Sequence, residues 1–426
     1  MPPHRHSNLL SRRSFIGGAG LVLLGAAGTR FSDQPRSVLA APPAGLRKCV
    51  SMGPVNAAEG DDQDLRAHGN LHLLTSTGSG WVKLWVRWDQ VQPLPAASVP
   101  FERLGDPIAN PGYPFLAALD AQIELARAQS PPIGVVITPW LFPKWANATS
   151  HLVDAIPGDR TFFPEDRLSD GAAKKLFYRV PPAAELEPDG LWGRWIDFLY
   201  RRYAHHGDGV MLEVMNEPNL QWWPQRGGAS AAARMMATAQ AIGERNGNRL
   251  LLGGPAVWDG PKRGASRSRL WTGYEEFTAR LLDELDEIGF TADERFVWTQ
   301  HNYMDTLFGH GRPGSPSNRA TRTRSLLVDR WSGLGGSKAP EVWLTEGGAD
   351  LRERTVGADR ELQARLVGEN WKLMADASGD GRGIGMLTNY LGYSEHHYDT
   401  GMRDPLDTGG AARPLERAWA QLASSG

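Results

Sequence analysis

The chain has one cysteine, Cys49, in 426 residues. An intramolecular disulfide is therefore excluded. No HExxH pair and no CxxC pair occurs, so the common zinc-site spacings are missing. No Gly-rich phosphate loop follows the early strand-like segments, which removes weight from nucleotide-binding folds. Charge of one sign is also lacking: 46 Lys and Arg stand against 48 Asp and Glu, a formal net charge of −2. That balance gives no reason to expect nucleic acid or an anionic membrane as partner. The most apolar N-terminal run, Gly17 to Ala27, is too short to span a bilayer. No cofactor and no metal are expected. What is abundant is apolar and aromatic: 41% hydrophobic residues and 16 tryptophans. That is enough for one large core, and for aromatic planes on which the C–H face of a sugar can stack.

The N-terminus accounts for the missing disulfides. Ser11-Arg12-Arg13-Ser14-Phe15-Ile16 precedes the modest Gly/Ala-rich apolar run, and Val38-Leu39-Ala40 offers a small-residue cleavage site before Ala41. This pattern is that of a twin-arginine export signal. Such signals carry proteins that are already folded. We therefore read residues 1–41 as signal and linker and 42–426 as the mature domain, exported to the cell envelope or medium and free of the membrane after cleavage. Cys49 lacks the preceding residues of a lipoprotein site.

The rest of the chain alternates short apolar runs with amphipathic ones. Strands are expected at Arg47–Met52, Trp81–Trp88, Ile133–Thr138, from Val210 to the Glu217-Pro218 step, and at Leu250–Gly253, Phe296–Gln300, Val342–Glu346 and Ile384–Asn389. Helical periodicity fills the gaps, as in Trp192, Trp195, Ile196, Leu199, Tyr200 and Tyr203. The acidic group Asp61, Asp62 and Asp64 is placed to cap the first helix. Residues 146–190 are long for a loop and fit a lid or subsite wall. Eight strand–helix alternations without a composition shift predict an α/β fold, a single-domain (β/α)8 TIM barrel with long βα loops.

Two strands end in carboxylates. Val210-Met211-Leu212-Glu213-Val214-Met215-Asn216-Glu217-Pro218-Asn219 stops at Pro218, which has no N–H to donate. Val342-Trp343-Leu344-Thr345-Glu346-Gly347-Gly348 ends on glycines that allow a sharp turn. With the intervening His301-Asn302-Tyr303, these motifs resemble clan A of the retaining glycoside hydrolases, nearest its cellulase and β-xylosidase branches, over roughly residues 46 to 423.

The resemblance implies that Glu217 is the acid/base and Glu346 the nucleophile, that Asn216 contacts a sugar hydroxyl, that Tyr303 donates to the nucleophile, and that His301 lies beside the reacting sugar. Clan members carry Arg where Lys83 stands. Lysine cannot form a bidentate fork, which leaves the support of the nucleophile to Lys83 or to Arg87. Period-2 alternation sends Lys83, Trp85 and Arg87 into the barrel and Val82, Leu84 and Val86 toward the helices. Glu213, four residues before Glu217 and deeper, is read as the partner of Lys83 or Arg87. Trp140, Trp222 and Arg87 are candidate substrate contacts at the lip. Tyr390 is another, at the end of the eighth strand, where the clan usually has Trp; His396 and His397 follow in the last loop. The function expected is O-glycosyl hydrolysis of a β-linked poly- or oligosaccharide by double displacement, in a monomer. An exo-glycosidase or transglycosylase on the same fold is the alternative. A barrel that binds sugar without cleaving it is a third reading, and the presence of both glutamates argues against it.

Overall fold

The computed structural model describes residues 45–422 apart from 55–63, 68, 147–182, 221–227, 261–271, 292, 309–317, 335–338, 379–382 and 396–397. Eight parallel strands close into a barrel in sequence order. They are β1 (Arg47–Pro54), β2 (Trp81–Arg87), β3 (Gly134–Trp140), β4 (Val210–Glu213), β5 (Leu251–Val257), β6 (Phe296–Asn302), β7 (Val342–Gly347) and β8 (Ile384–Tyr390). One principal helix follows each strand. They are α1 (Asn70–Ser76), α2 (Tyr113–Arg127), α3 (Leu191–Tyr203), α4 (Gly228–Arg245), α5 (Tyr274–Glu287), α6 (Arg319–Trp331), α7 (Arg360–Ala377) and α8 (Pro414–Gln421). The expected (β/α)8 barrel is the observed fold. No described helix is long and apolar enough to cross a membrane.

Alternation along the strands divides the core in two. Val82, Leu84, Val86, Val135, Ile137, Val210 and Leu212 face outward and pack with the helices. Inside, Cys49, Val136, Met211, Val297, Trp343 and Met386 form a separate apolar cluster at the N-terminal end of the barrel. One step further along the strands the lining turns polar, with Ser51, Lys83, Thr138, Glu213, Thr299 and Thr388 all buried. The interior thus runs from an apolar plug, through a charged layer, to the C-terminal lip.

The tryptophan-rich α3 buries Trp192, Trp195, Ile196, Leu199, Tyr200 and Tyr203. Trp195 stacks on Trp88 with ring centroids 5.5 Å apart. The Tyr200 hydroxyl accepts from the backbone N–H groups of Arg249 and Leu250 at 2.7 and 3.0 Å, which ties α3 to the entry of β5. Two expectations need correction. Strand β4 ends at Glu213 rather than continuing to Glu217, because the chain beyond it leaves regular pairing to turn Glu217 inward. The first helix is capped by Gly69, not by the acidic group. Asp64 instead accepts from the N–H and guanidinium of Arg66; Asp61 and Asp62, like most of the 146–190 insertion and residues 1–41, lie outside the described residues.

Candidate active site

The lip of the barrel collects Glu217, His301, Tyr303 and Glu346. The two glutamates arrive by local departures from regular structure, whereas His301 is carried by β6 itself. On β7, Gln300 of β6 pairs with Leu344 while His301 pairs with Glu346, so Thr345 is an extra residue. Trp343 points inward and Leu344 outward; simple alternation would send Glu346 outward too. The bulge at Thr345 reverses that and aims Glu346 into the barrel. A Cβ on the following Gly347 would lie 3.2 Å from the Asn302 carbonyl, and Gly348 adopts φ 144°. The two glycines therefore fit a crowded turn that other residues would strain.

Glu217 has φ 46°, a left-handed conformation that is costly for a residue with a side chain. It belongs to a set of such residues at strand ends, with Leu141 after β3, Ala256 in β5 and Leu391 after β8. The conformation of Glu217 is held from outside. Its N–H donates to the Ala256 carbonyl at 3.1 Å. Two residues on, Asn219 brackets Trp258, accepting from its N–H and donating to its carbonyl, both at 2.9 Å. Strained backbone that the surroundings over-determine is common where function requires it.

The carboxylates converge on one imidazole. His301 Nδ1 lies 2.8 Å from Glu217 Oε1 in a hydrogen bond, and Nε2 lies 3.2 Å from Glu346 Oε1 in an ion contact that is not an aligned hydrogen bond. One oxygen from each glutamate and a ring nitrogen all fall within 4.8 Å of one another. Glu346 has two further partners. Lys83 Nζ donates to Oε1 at 2.7 Å and the Tyr303 hydroxyl to Oε2 at 2.9 Å. Lys83 also meets Glu213 at 2.6 Å, and Thr138 donates to Glu213 at 2.7 Å. Lys83, rather than Arg87, is therefore the cation of the charged layer. Arg87 forks onto Asp89 at the lip instead. It does not share the support of Glu346, because Asp89 stands only two residues away and satisfies its guanidinium.

The electrostatics of Glu346 are set by its cationic neighbours. Burial alone would raise the pKa of Glu346. The charges of His301 and Lys83, with their hydrogen bonds, override burial and leave it at about 2. Burial would lower the pKa of His301. The Glu346 charge and the contacts with both glutamates raise it to about 9. Burial first, then the Glu346 charge, pushes the Tyr303 hydroxyl well above the usual tyrosine range, so it remains a donor. Glu346 is thus held ionised in a site only 5% exposed, while Glu217 is 15% exposed and lies in hydrogen-bond contact with His301. The same trio has the composition of a divalent-cation ligand set; in this structure Lys83 and the imidazole supply the countercharge.

The sign of the pH dependence follows. Glu346 is lower in the fold than its ordinary 4.5, so its contribution is complete above pH 4.5 and is lost as pH falls toward 2. His301 is higher than its ordinary 6.5, so its contribution is complete below pH 6.5 and is lost as pH rises toward 9. Stability from this pair should peak between pH 4.5 and 6.5. Thermal melts across pH should show an alkaline decline above 6.5 that His301→Gln flattens. An equally steep decline in the variant would show that His301 is not its source.

The other site candidates are placed as follows. Asn216 lines an apolar cleft with Trp88, Trp140, Phe142, Trp192 and Trp195. Trp140 meets the inward-facing Trp85 edge to face at 5.4 Å. Tyr390 stands between Tyr303 and the half-exposed Tyr398, with centroid distances of 6.0 and 5.4 Å. Trp222, His396 and His397 lie outside the described residues.

One residue of the site left no mark in the sequence. Asp259, two residues past β5, is fully buried and accepts from the backbone N–H groups of Tyr303, Met304 and Asp305 at 3.1, 2.9 and 3.0 Å. It fixes the short helical turn Tyr303–Phe308 and so aims the Tyr303 hydroxyl at Glu346. It precedes a glycine, with no strand-end motif to single it out. If Glu346 is catalytic, Asp259→Ala and Tyr303→Phe should lower kcat by similar factors. Their combination should cost little more than either alone, since both act through one hydrogen bond. Additive losses in the double-mutant cycle would contradict this.

Neither a family model nor a curated protein matches the chain. Among solved structures it is similar to a family 5 xyloglucan-specific endo-β-1,4-glucanase from a metagenomic library, in complex with cellotriose. That match has 14% identity over 90% of this chain and 97% of that one, with a TM-score of 0.49. It is also similar to a family 5 xyloglucanase from Paenibacillus pabuli (11% identity, 89% and 98% covered, TM-score 0.46). A third is a triple mutant of an endo-β-1,4-glucanase from Xanthomonas axonopodis pv. citri (12% identity, 88% and 98% covered, TM-score 0.48). Likeness at this level carries no chemistry. The functional reading rests on the side chains.

Proposed function

We propose that this chain is a retaining glycoside hydrolase that cleaves β-linked poly- or oligosaccharides, consistent with the resemblance of its motifs to clan A. One observation carries the reading: Glu217 and Glu346 meet across His301 with carboxylate oxygens within 4.8 Å, and only Glu346 is held by a lysine, a tyrosine and a histidine at once. Retaining enzymes place their carboxyl groups about 5–5.5 Å apart, and inverting enzymes about 6.5–9.5 Å to admit a water.

Glu217 protonates the departing glycosidic oxygen while the Glu346 carboxylate attacks the anomeric carbon. A water activated by Glu217 then releases the sugar. During the first step negative charge leaves Glu346 and appears on Glu217. His301 touches both, at 3.2 and 2.8 Å. The charge therefore moves from one side of a fixed imidazole to the other, and little reorganisation is required. Asn216, Trp140, Tyr390 and Arg87 are proposed as substrate contacts. A screen of aryl β-glycosides and β-linked polysaccharides, with xyloglucan and cello-oligosaccharides included, tests the reading; no hydrolysis of any member would contradict it. Products from a defined oligosaccharide separate internal cleavage from exo action or transglycosylation.

We further propose export through the twin-arginine route, supported by Arg12-Arg13 ahead of the weakly apolar run. Arg12→Lys combined with Arg13→Lys should leave the precursor in the cytoplasm by fractionation. Undiminished export of that double variant would overturn the proposal.

A further inference from the structure

The N-terminal face of the barrel, opposite the glutamates, carries a second constellation. The turn Ala204–Gly209 leads into β4, and Glu124 lies near the C-terminal end of α2. His205 and His206 are consecutive, yet their rings lie on the same side, with centroids 3.9 Å apart and planes inclined by 39°. Both Nε2 atoms converge on one oxygen. His205 Nε2 is 3.4 Å and His206 Nε2 3.2 Å from Glu124 Oε1, and the three atoms lie within 4.8 Å of one another. Tetrahedral zinc with bonds of about 2.0–2.1 Å sets its ligand atoms about 3.3–3.4 Å apart. Both nitrogen–oxygen separations are thus close to edges of such a tetrahedron; the His205 contact is a weak, long hydrogen bond, and the His206 contact is not aligned as one.

A second observation points to a ligand. The His206 side chain is only 9% exposed, and its Nε2 is buried without an aligned hydrogen-bond partner among the described residues. A buried ring nitrogen facing a carboxylate without a hydrogen bond is a donor atom prepared for a cation. His205 and Glu124 are 61% and 63% exposed, which leaves a way in and a face open to water. The nearby cation Arg127 has its guanidinium turned onto the Ile133 carbonyl at 3.1 Å.

We propose that Glu124, His205 and His206 form a site for a borderline divalent cation of the zinc class, with water in the fourth position. The bound ion clamps α2 to the turn that enters β4. Imidazole nitrogen with one carboxylate suits zinc, whereas magnesium prefers oxygen-only octahedra. The site shares no residue with the glycosidic machinery and stands or falls independently of it.

Full-length protein, treated with chelator and dialysed, is titrated with ZnCl2 by calorimetry and with Co2+ by visible absorption. The site predicts one zinc equivalent lost on His205→Ala, His206→Ala or Glu124→Gln, each weakening affinity by at least about 10–100-fold. It also predicts a zinc-dependent rise in Tm that these variants lack and that Mg2+ does not give. If His206→Ala does not fold, the exposed His205→Ala carries the test, and its hydrolytic activity should be that of the wild type. A flat titration, or zinc binding unchanged in the variants because the ion sits at Glu217, His301 and Glu346, would overturn the proposal.

Discussion

With Glu346 as the proposed nucleophile, replacing it with alanine should reduce turnover by about 10^4-fold or more, since the attacking carboxylate is removed. The partners of Glu346 explain the size of the effect. Lys83, His301 and Tyr303 all address this one carboxylate. Its removal takes the acceptor from the Tyr303 hydroxyl, leaves Lys83 with Glu213 alone and His301 with Glu217 alone, and takes away the proposed nucleophile. Azide should partly restore turnover by entering the space and attacking directly, giving a glycosyl azide of inverted configuration. Glu217→Ala should behave differently. General acid–base assistance contributes about 10^2–10^4-fold, so oligosaccharides with poor leaving groups should slow by that much. Activated aryl glycosides need little protonation and should suffer far less. Azide rescue of this variant should retain configuration, because Glu346 still forms the covalent intermediate. Were azide products of the two variants to share one anomeric configuration, the assignment of roles would fail.

The second large effect concerns stability. Lys83 is fully buried between Glu213 at 2.6 Å and Glu346 at 2.7 Å. Burial would strip its proton; the two carboxylates reverse that and hold it charged. Lys83→Met should destabilise the fold by about 3–5 kcal/mol in denaturant unfolding, because it strands two buried carboxylates. Glu213→Gln should cost less. It leaves Lys83 paired with Glu346, and the amide can still accept from Thr138. An isosteric variant at Lys83 that unfolds at the wild-type midpoint would show that this layer does not need the cation. The pH response is a second check. Without Lys83, Glu346 loses one of the charges that hold it low, so the acid limb of stability should move upward in pH.

Much of this arrangement could be read from the sequence. Apolar runs bounded by Gly, Pro and Asn placed all eight strands, because each must be buried and each must end at the lip. The inward set Lys83 and Trp85, against the outward set Val82, Leu84 and Val86, followed from period-2 geometry alone. That Glu213 is the buried partner of Lys83 or Arg87 followed from its depth below Glu217, and the structure selects Lys83. Other features depend on contacts between distant segments. The bulge at Thr345 is invisible in Val342-Trp343-Leu344-Thr345-Glu346, because register is a property of two strands. The positive φ of Glu217 comes with its bond to Ala256, 39 residues on. Asp259 acts through backbone N–H groups of another loop, and backbone groups carry no signature. The single imidazole between two carboxylates required the curvature of the closed barrel. Asp64 misled because an acidic cluster ahead of a helix resembles a cap, whereas Arg66 two residues on claims its carboxylate.

The proposed reaction is double displacement by Glu346 with Glu217 as acid and base. The most direct test follows the anomeric proton signals by NMR from the first minutes of hydrolysis of a β-linked substrate by the wild-type enzyme. The β-anomer should appear first and the α-anomer only later, by mutarotation. Initial release of the α-anomer would mean a single inverting displacement, and Glu346 could not then be the nucleophile.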